Sequence, residues 1–376
     1  MHSSPKSSFE SFDTTSHIFF DRESNDTSRS TLVQIPTPKR SQEEEAPLLD
    51  PLEIIEAQND YLFQPKKQNS WLPKSYTKRS LFGGCCLFIL PVISFIIFCA
   101  IYFSAIPLPT PPPGQQLSSN SARLLTFNIF MRPPGIKNNA DDYKDERLDY
   151  IIHHLLPSYD IITMQEAFAY ANRRIDTLTT QAFDQGFHYQ LASPRHYPWN
   201  LAGDGGLLIL SRFPIVKSDR IEFPRGVHAD WLSFKGALHA LIKINNQSLV
   251  HVYTTHTQAS YDNGGSFNLD DTKVRLSQFA AVHQFIAETA KDDDHPILLM
   301  GDLNVDAALH NQSITERSRD SSLAYTMMMD VLKGKGVDLE RFSNSTQGKL
   351  SYSHLWRLDN LRDAAYDSFG YHPVTF

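Results

Sequence analysis

Four apolar runs in this 376-residue chain each end in a polar group that could ligate a hard cation or move a proton. Leu124–Phe127 runs into Asn128, Ile161–Met164 into Gln165 and Glu166, Val250–Thr255 into His256, and Ile297–Met300 into Gly301, Asp302, Leu303 and Asn304. A strand terminus lets a side chain leave the core while its backbone stays held, as a preorganised site requires. Asn128, Glu166, Asp302 and Asn304 are hard oxygen donors, suited to Mg²⁺ or Mn²⁺ and not to a soft metal. His256 could stabilise a phosphoryl oxygen. Taken singly, each has a plain structural role: Asn128 in a turn, Glu166 as a helix cap, Asp302 and Asn304 in an Asx-rich loop. Their joint occurrence at strand ends, in this order, is what points to chemistry.

The elements that must position them follow from periodicity. Strands are predicted at Leu124–Phe130, Ile161–Met164, Gly206–Leu210, Ala237–Ile244, Leu249–Thr254 and Pro296–Met300, and helices at Glu146–Leu156, Asn172–Phe183 and Asp271–Thr289. Buried strands interspersed with amphipathic helices predict a layered α/β domain over 122–376, and no repeat of fixed period is present. Asp204-Gly205-Gly206 reads as turn punctuation and Asp292-Asp293-Asp294 as a solvated turn. Tyr261–Phe267 reads as a loop rimming the site. Tyr197, Trp199 and Trp231 lie in polar loops, open either to a lipid interface or to aromatic packing.

In its motifs the chain resembles the endonuclease/exonuclease/phosphatase superfamily, and within it the neutral and bacterial sphingomyelinases. The matching segments are Leu125–Ile129, Gln165–Phe168, Gly205–Ile215, Lys235–Ala237, Thr255–Ala259 and Gly301–Val305. The resemblance implies a four-layer α-β-β-α sandwich of two mixed sheets flanked by helices, with the active site at one end. It implies Mg²⁺-dependent hydrolysis of sphingomyelin, or a related phosphosphingolipid, to ceramide and phosphocholine. Carried over, Glu166 is the principal Mg²⁺ ligand, Asn128, Asp302 and Asn304 complete the metal and phosphate environment, and His256 binds and neutralises the phosphodiester in its transition state.

The departure from the family's pattern matters as much. Its closing Ser-Asp-His motif, whose histidine acts as general base, has no counterpart before Phe376, and neither His354 nor His372 sits in an Asp-His context. The domain is therefore expected to be incomplete at its C-terminus and its activity impaired. Two alternatives stay open: another phosphoesterase of the superfamily, a phosphoinositide phosphatase or a nuclease, or a membrane-anchored binding protein. The net charge of −7 weighs against nucleic acid as partner, since backbone binding needs a basic face.

Upstream of the domain the composition changes. Residues 1–80 are polar and charged and are expected to be a disordered tail, with Glu44–Leu49 resembling an acidic dileucine signal for an adaptor. Leu81–Ile106 carries no charge and, at about 26 residues, is long enough to span a ~30 Å hydrocarbon core. Residues 107–121 form a Pro-rich stalk. Lys66, Lys67, Lys74, Lys78 and Arg79 precede the run, while the first basic residue after it is Arg123. The positive-inside bias thus predicts a single-pass type II protein with a cytosolic N-terminus and a lumenal or extracellular domain, and the resemblance to a sorting signal suggests an endosomal or vacuolar setting. Sequons at Asn246, Asn311 and Asn344 fit that side of the membrane. All 3 cysteines, Cys85, Cys86 and Cys99, fall inside the apolar run, so the domain has no disulfide. The sequence is silent on oligomeric state.

Overall fold

The computed structural model describes residues 78–112, 119–137, 142–261, 269–310, 317–337 and 352–373, without the side chains of 78–87. All of these belong to one unit, Tyr76–Phe376. The apolar runs pair into two four-stranded mixed sheets. The first contains β1 (Leu124–Asn128), β2 (Ile161–Gln165), β3 (Tyr189–Ala192) and β4 (Leu208–Ser211) in the order β1-β2-β4-β3. The second contains β5 (Ile215–Glu222), β6 (Gly236–Lys243), β7 (Leu249–His256) and β8 (Ile297–Asp302) in sequence order. One pair in each sheet is parallel, β1 with β2 and β7 with β8. The other neighbours are antiparallel.

Three apolar layers explain the architecture. Ile161, Ile209, Leu238, Ala240, Ile242 and Val252 pack between the sheets. The alternate residues Ile162, Met164, Leu208 and Leu210 face the opposite way, against Ile151 and Leu178 of the first helical layer. That layer consists of α2 (Lys144–Tyr150), prolonged through Ile151–Ser158, and α3 (Arg174–Asp184). On the second sheet Tyr253 packs with Phe279, Val282 and Phe285 of α4 (Leu269–Ala290) and Val331 of α5 (Leu323–Leu332). Each such side chain contributes about 1.5–3 kcal/mol when fully buried. The expected α-β-β-α sandwich is therefore what forms, and β2 is buried at every position because both its faces are covered.

Two strands and two helices were not anticipated. β3 has only four residues, and β5 is a charged edge strand whose Lys217, Asp219, Arg220 and Glu222 hide its periodicity. The unforeseen helices are α5 and the short α6 (Ala364–Phe369).

The apolar run near the N-terminus forms α1 (Lys78–Tyr102), a 25-residue helix containing Pro91. Among the described residues no helix is long and apolar enough to cross a membrane. The expectation of a span at 81–106 thus gains no support here. The expected adaptor signal and the sequons at Asn311 and Asn344 lie outside the described residues, while Asn246 is exposed in the turn after β6.

Candidate active site

Parallel pairing within each sheet puts the carboxyl ends of β1, β2, β7 and β8 at one end of the sandwich. Asn128 lies beside Gln165 and His256 beside Asp302 in the two registers. The sheets are tied together there by Gln165, whose Nε2 donates to Thr126 Oγ1 at 3.3 Å and to Thr254 Oγ1 at 2.9 Å. Beyond the tie the chain turns sharply. Glu166 and Asn304 both adopt left-handed backbone, with φ of 53° and 49°, a conformation that Asn tolerates but that costs about 1–2 kcal/mol at Glu166. Gly301 is required for close approach: its φ is 137°, and a Cβ there would collide with the Thr255 carbonyl.

The five residues expected at the site come together. Asn128 Nδ2 donates to Glu166 Oε1 at 3.1 Å and to Asp302 Oδ2 at 2.8 Å, so one amide bridges carboxylates from the two sheets. Its amide oxygen accepts from Phe130 N–H at 3.0 Å. Asn128 thus turns its NH₂ to the two carboxylates and its amide oxygen to the backbone of the following turn. Asp302 Oδ1 accepts from Asn304 N–H, and Asn304 Nδ2 donates to the Thr257 carbonyl at 2.8 Å. His256 Nε2 lies 3.9 Å from Asp302 Oδ2.

A second, unforeseen pair stands behind the first. Lys235 is buried, and its Nζ contacts Asp230 Oδ2 at 2.8 Å, Thr257 O at 2.7 Å and His256 Nε2 at 3.3 Å. The three protons of the ammonium are thereby engaged. Asp230 also accepts from Ala259 N–H at 2.7 Å. Lys-Gly-Ala was visible as a motif, but nothing in its spacing says that the lysine turns inward.

The electrostatics follow from burial. Glu166 is held above the usual carboxylate range by desolvation, only partly opposed by Asn128 and Lys235. Lys235 is lowered by burial, against the pull of Asp230. His256 lies well below the ordinary histidine value, first through burial and then through the neighbouring ammonium, so its ring is neutral at pH 7. Glu166 Oε2 and His256 Nδ1 are buried and have no hydrogen-bond partner. A hard cation fits this donor set, because it would satisfy the orphaned oxygen and the desolvated carboxylate together. Among the described residues no group of three or more His, Cys, Asp or Glu could hold a metal, so a cation here would rest on two carboxylates with amide oxygens or water.

Neighbouring loops brace the site. Asp204 makes the turn expected at Asp204-Gly205-Gly206 and does so as a buried carboxylate, accepting from Gly206 N–H at 2.9 Å and Ala169 N–H at 3.0 Å, which ties the segment after Glu166 to the start of β4. Desolvation pushes its pKa up to about 6. Asp293 lies in the exposed turn expected at Asp292-Asp293-Asp294 and also bonds His251 Nε2 at 3.0 Å. His372 bonds Ser321 Oγ at 2.9 Å and His354 Nδ1 accepts from Trp356 N–H, so neither touches the site. Of the expected Tyr261–Phe267 loop only Tyr261 is described, and its hydroxyl donates to Asp230 Oδ1 at 3.3 Å.

The family described as the Endonuclease/Exonuclease/phosphatase family matches residues 125–366, which span both sheets and every site residue above. The chain belongs to this family. Among relatives, a sphingomyelinase of Dictyostelium discoideum is 26% identical over 68% of this chain and 76% of its own length. Sphingomyelinase C of Bacillus cereus is 26% identical over 62% of this chain and 69% of its own. Within the family the chain is thus of the sphingomyelinase type. A solved mutant of the beta toxin of Staphylococcus aureus, with bound magnesium ions, is 24% identical over 58% of this chain and 72% of its own, with a TM-score of 0.46.

Proposed function

We propose that this chain hydrolyses the phosphodiester of sphingomyelin, or of a related phosphosphingolipid, to ceramide and phosphocholine, with Mg²⁺ as cofactor and Mn²⁺ as a substitute. The carrying observation is the carboxylate pair Glu166 and Asp302, joined across the two sheets by Asn128 and holding one buried, unpartnered oxygen. Two relatives named sphingomyelinase support the choice of substrate. Glu166 and Asp302 would hold the cation, with Asn128 and Asn304 completing the environment of metal and phosphate. Bound there, Mg²⁺ supplies Lewis-acid stabilisation of phosphoryl charge. Asn128 holds the two carboxylates at a fixed separation, and Lys235 sets the ring of His256. His256 then serves as a neutral hydrogen-bond donor to a phosphoryl oxygen, a role that requires Nε2 to give up its contact with Lys235 and the ring proton to pass from Nδ1 to Nε2.

We propose further that α1 anchors the chain as a single-pass type II protein, with the domain on the lumenal or extracellular face. The support is the uncharged run Leu81–Ile106 with basic residues on its N-terminal side only. Modification of the exposed sequon at Asn246 would mark that side, and protease protection of the domain in sealed microsomes tests it.

The substrate reading is tested by offering the purified full chain sphingomyelin, a phosphoinositide and single-stranded DNA, each with and without Mg²⁺. Release of phosphocholine alone is expected. Phosphate from the phosphoinositide, or nicked DNA, with sphingomyelin left intact would replace this reading with another branch of the family.

A further inference from the structure

Four large apolar side chains beside the site are turned to solvent. Trp199 is 63% exposed, Leu201 68%, Trp231 46% and Leu232 53%. They come from two loops joined edge to edge: Gly203 N–H donates to Leu232 O at 2.9 Å, and Phe234 N–H to Gly203 O at 3.1 Å. Arg225 braces both loops, with Nη1 donating to Trp231 O at 2.7 Å and Nη2 to Asn200 O at 3.0 Å, and its guanidinium stands over the Trp231 ring. Rings on braced loops are presented and not merely left over, and exposed apolar patches of this kind mark interaction surfaces.

Two junctions say what covers the patch. On one side Trp231 follows Asp230 directly, and Asp230 holds the site lysine. On the other, Trp199 stacks on Tyr197 at 4.6 Å, and Tyr197 in turn lies against Phe103, just past the end of α1. From Phe88 to Ile101 α1 exposes apolar side chains around its circumference, among them Phe88, Leu90, Val92, Phe95 and Ile96. An all-round apolar helix belongs in an apolar medium. The patch lies one aromatic ring from its exit and therefore borders the same medium.

We propose that Trp199, Leu201, Trp231 and Leu232 form the surface through which the domain rests in the interfacial zone of a phospholipid bilayer. Trp suits that zone because its ring is apolar and its N–H polar. The surface brings the carboxyl ends of the strands to the membrane, where a lipid phosphodiester lies at headgroup depth. This inference rests on the lipid substrate proposed above.

The test uses the full chain carrying Trp71→Phe and Trp356→Phe, reconstituted into phosphatidylcholine vesicles whose acyl chains are brominated at carbons near the headgroup. Emission from Trp199 and Trp231 is expected to fall by at least half relative to unbrominated vesicles, and Leu201→Ser/Leu232→Ser is expected to remove most of that quenching. The same double substitution should lower turnover of vesicle sphingomyelin at least tenfold while leaving hydrolysis of a soluble aryl phosphodiester within twofold. Absence of quenching, quenching indifferent to the double substitution, or equal loss on both substrates would overturn the proposal. If the parent chain turns over no sphingomyelin yet its tryptophans are quenched, the substrate reading fails while the lipid surface stands.

Discussion

Strand β7 carries a buried histidine at each end of the sheet, and the two have different surroundings. His251 uses both ring nitrogens, Nδ1 with His239 at 2.8 Å and Nε2 with Asp293 at 3.0 Å. His256 has one partner, Lys235, and its other nitrogen is orphaned, as is the nearby Glu166 Oε2. Left-handed Glu166 and Asn304 stand at that same end. A buried polar atom without a partner costs about 1–3 kcal/mol, and strained backbone adds to it. One end of the sandwich is thus spent on stability while the other keeps valence in reserve for a ligand. The quiet end has its own exception, the facing atoms His239 Nδ1 and Asp219 Oδ2, which lie 3.5 Å apart without a hydrogen bond.

Substitutions at the two ends should therefore separate activity from stability. The largest effect is expected for Glu166→Gln, which keeps the shape and the contact with Asn128 but removes the charge. Turnover should drop on the order of 10³-fold or more, while the melting temperature holds or rises because a desolvated carboxylate is gone; a lowered melting temperature with residual turnover would erase the contrast. Next comes Lys235→Met, which strands buried Asp230. Urea denaturation should show about 3–5 kcal/mol of lost stability, part of it regained in Lys235→Met/Asp230→Asn, and failure to regain any would mean that the two do not act as a pair. Gly301→Ala should cost about 1–3 kcal/mol through its collision with the Thr255 carbonyl, read from the same denaturation curve.

The smallest effect belongs to the quiet end. Burial first, and the adjacent His251 second, hold His239 at about 4, below its unfolded value near 6.5. The unfolded chain consequently binds more protons across that interval. Stability present above about pH 6.5 should be lost as pH falls toward 4, by on the order of 1–2 kcal/mol after allowance for solvent screening. His239→Leu should flatten this part of the profile and leave turnover at neutral pH within twofold. An unchanged acid limb would show that other groups set it.

The sequence made one end of the molecule far more legible than the other. Asn128, Glu166, His256, Asp302 and Asn304 could be found because polar residues closing apolar runs are a pattern along the chain, and pairing in two sheets converts it into a cluster. Asp230 and Lys235 escaped because their meeting depends on a loop doubling back, which leaves no period to read. The bridging orientation of Asn128 was equally hidden, since it arises from the Phe130 N–H claiming the amide oxygen. Among elements, β5 was lost behind its edge charges, and the depth of Asp204 was hidden because burial of a short polar segment is decided by what packs over it.

The most direct measurement is phosphocholine release from sphingomyelin vesicles by the full chain as Mg²⁺ is titrated, run beside Glu166→Gln. The account predicts release that rises and saturates with Mg²⁺ in the parent chain and is absent, at equal folded content, in the variant. Release indifferent to Mg²⁺, or preserved in Glu166→Gln, would contradict it.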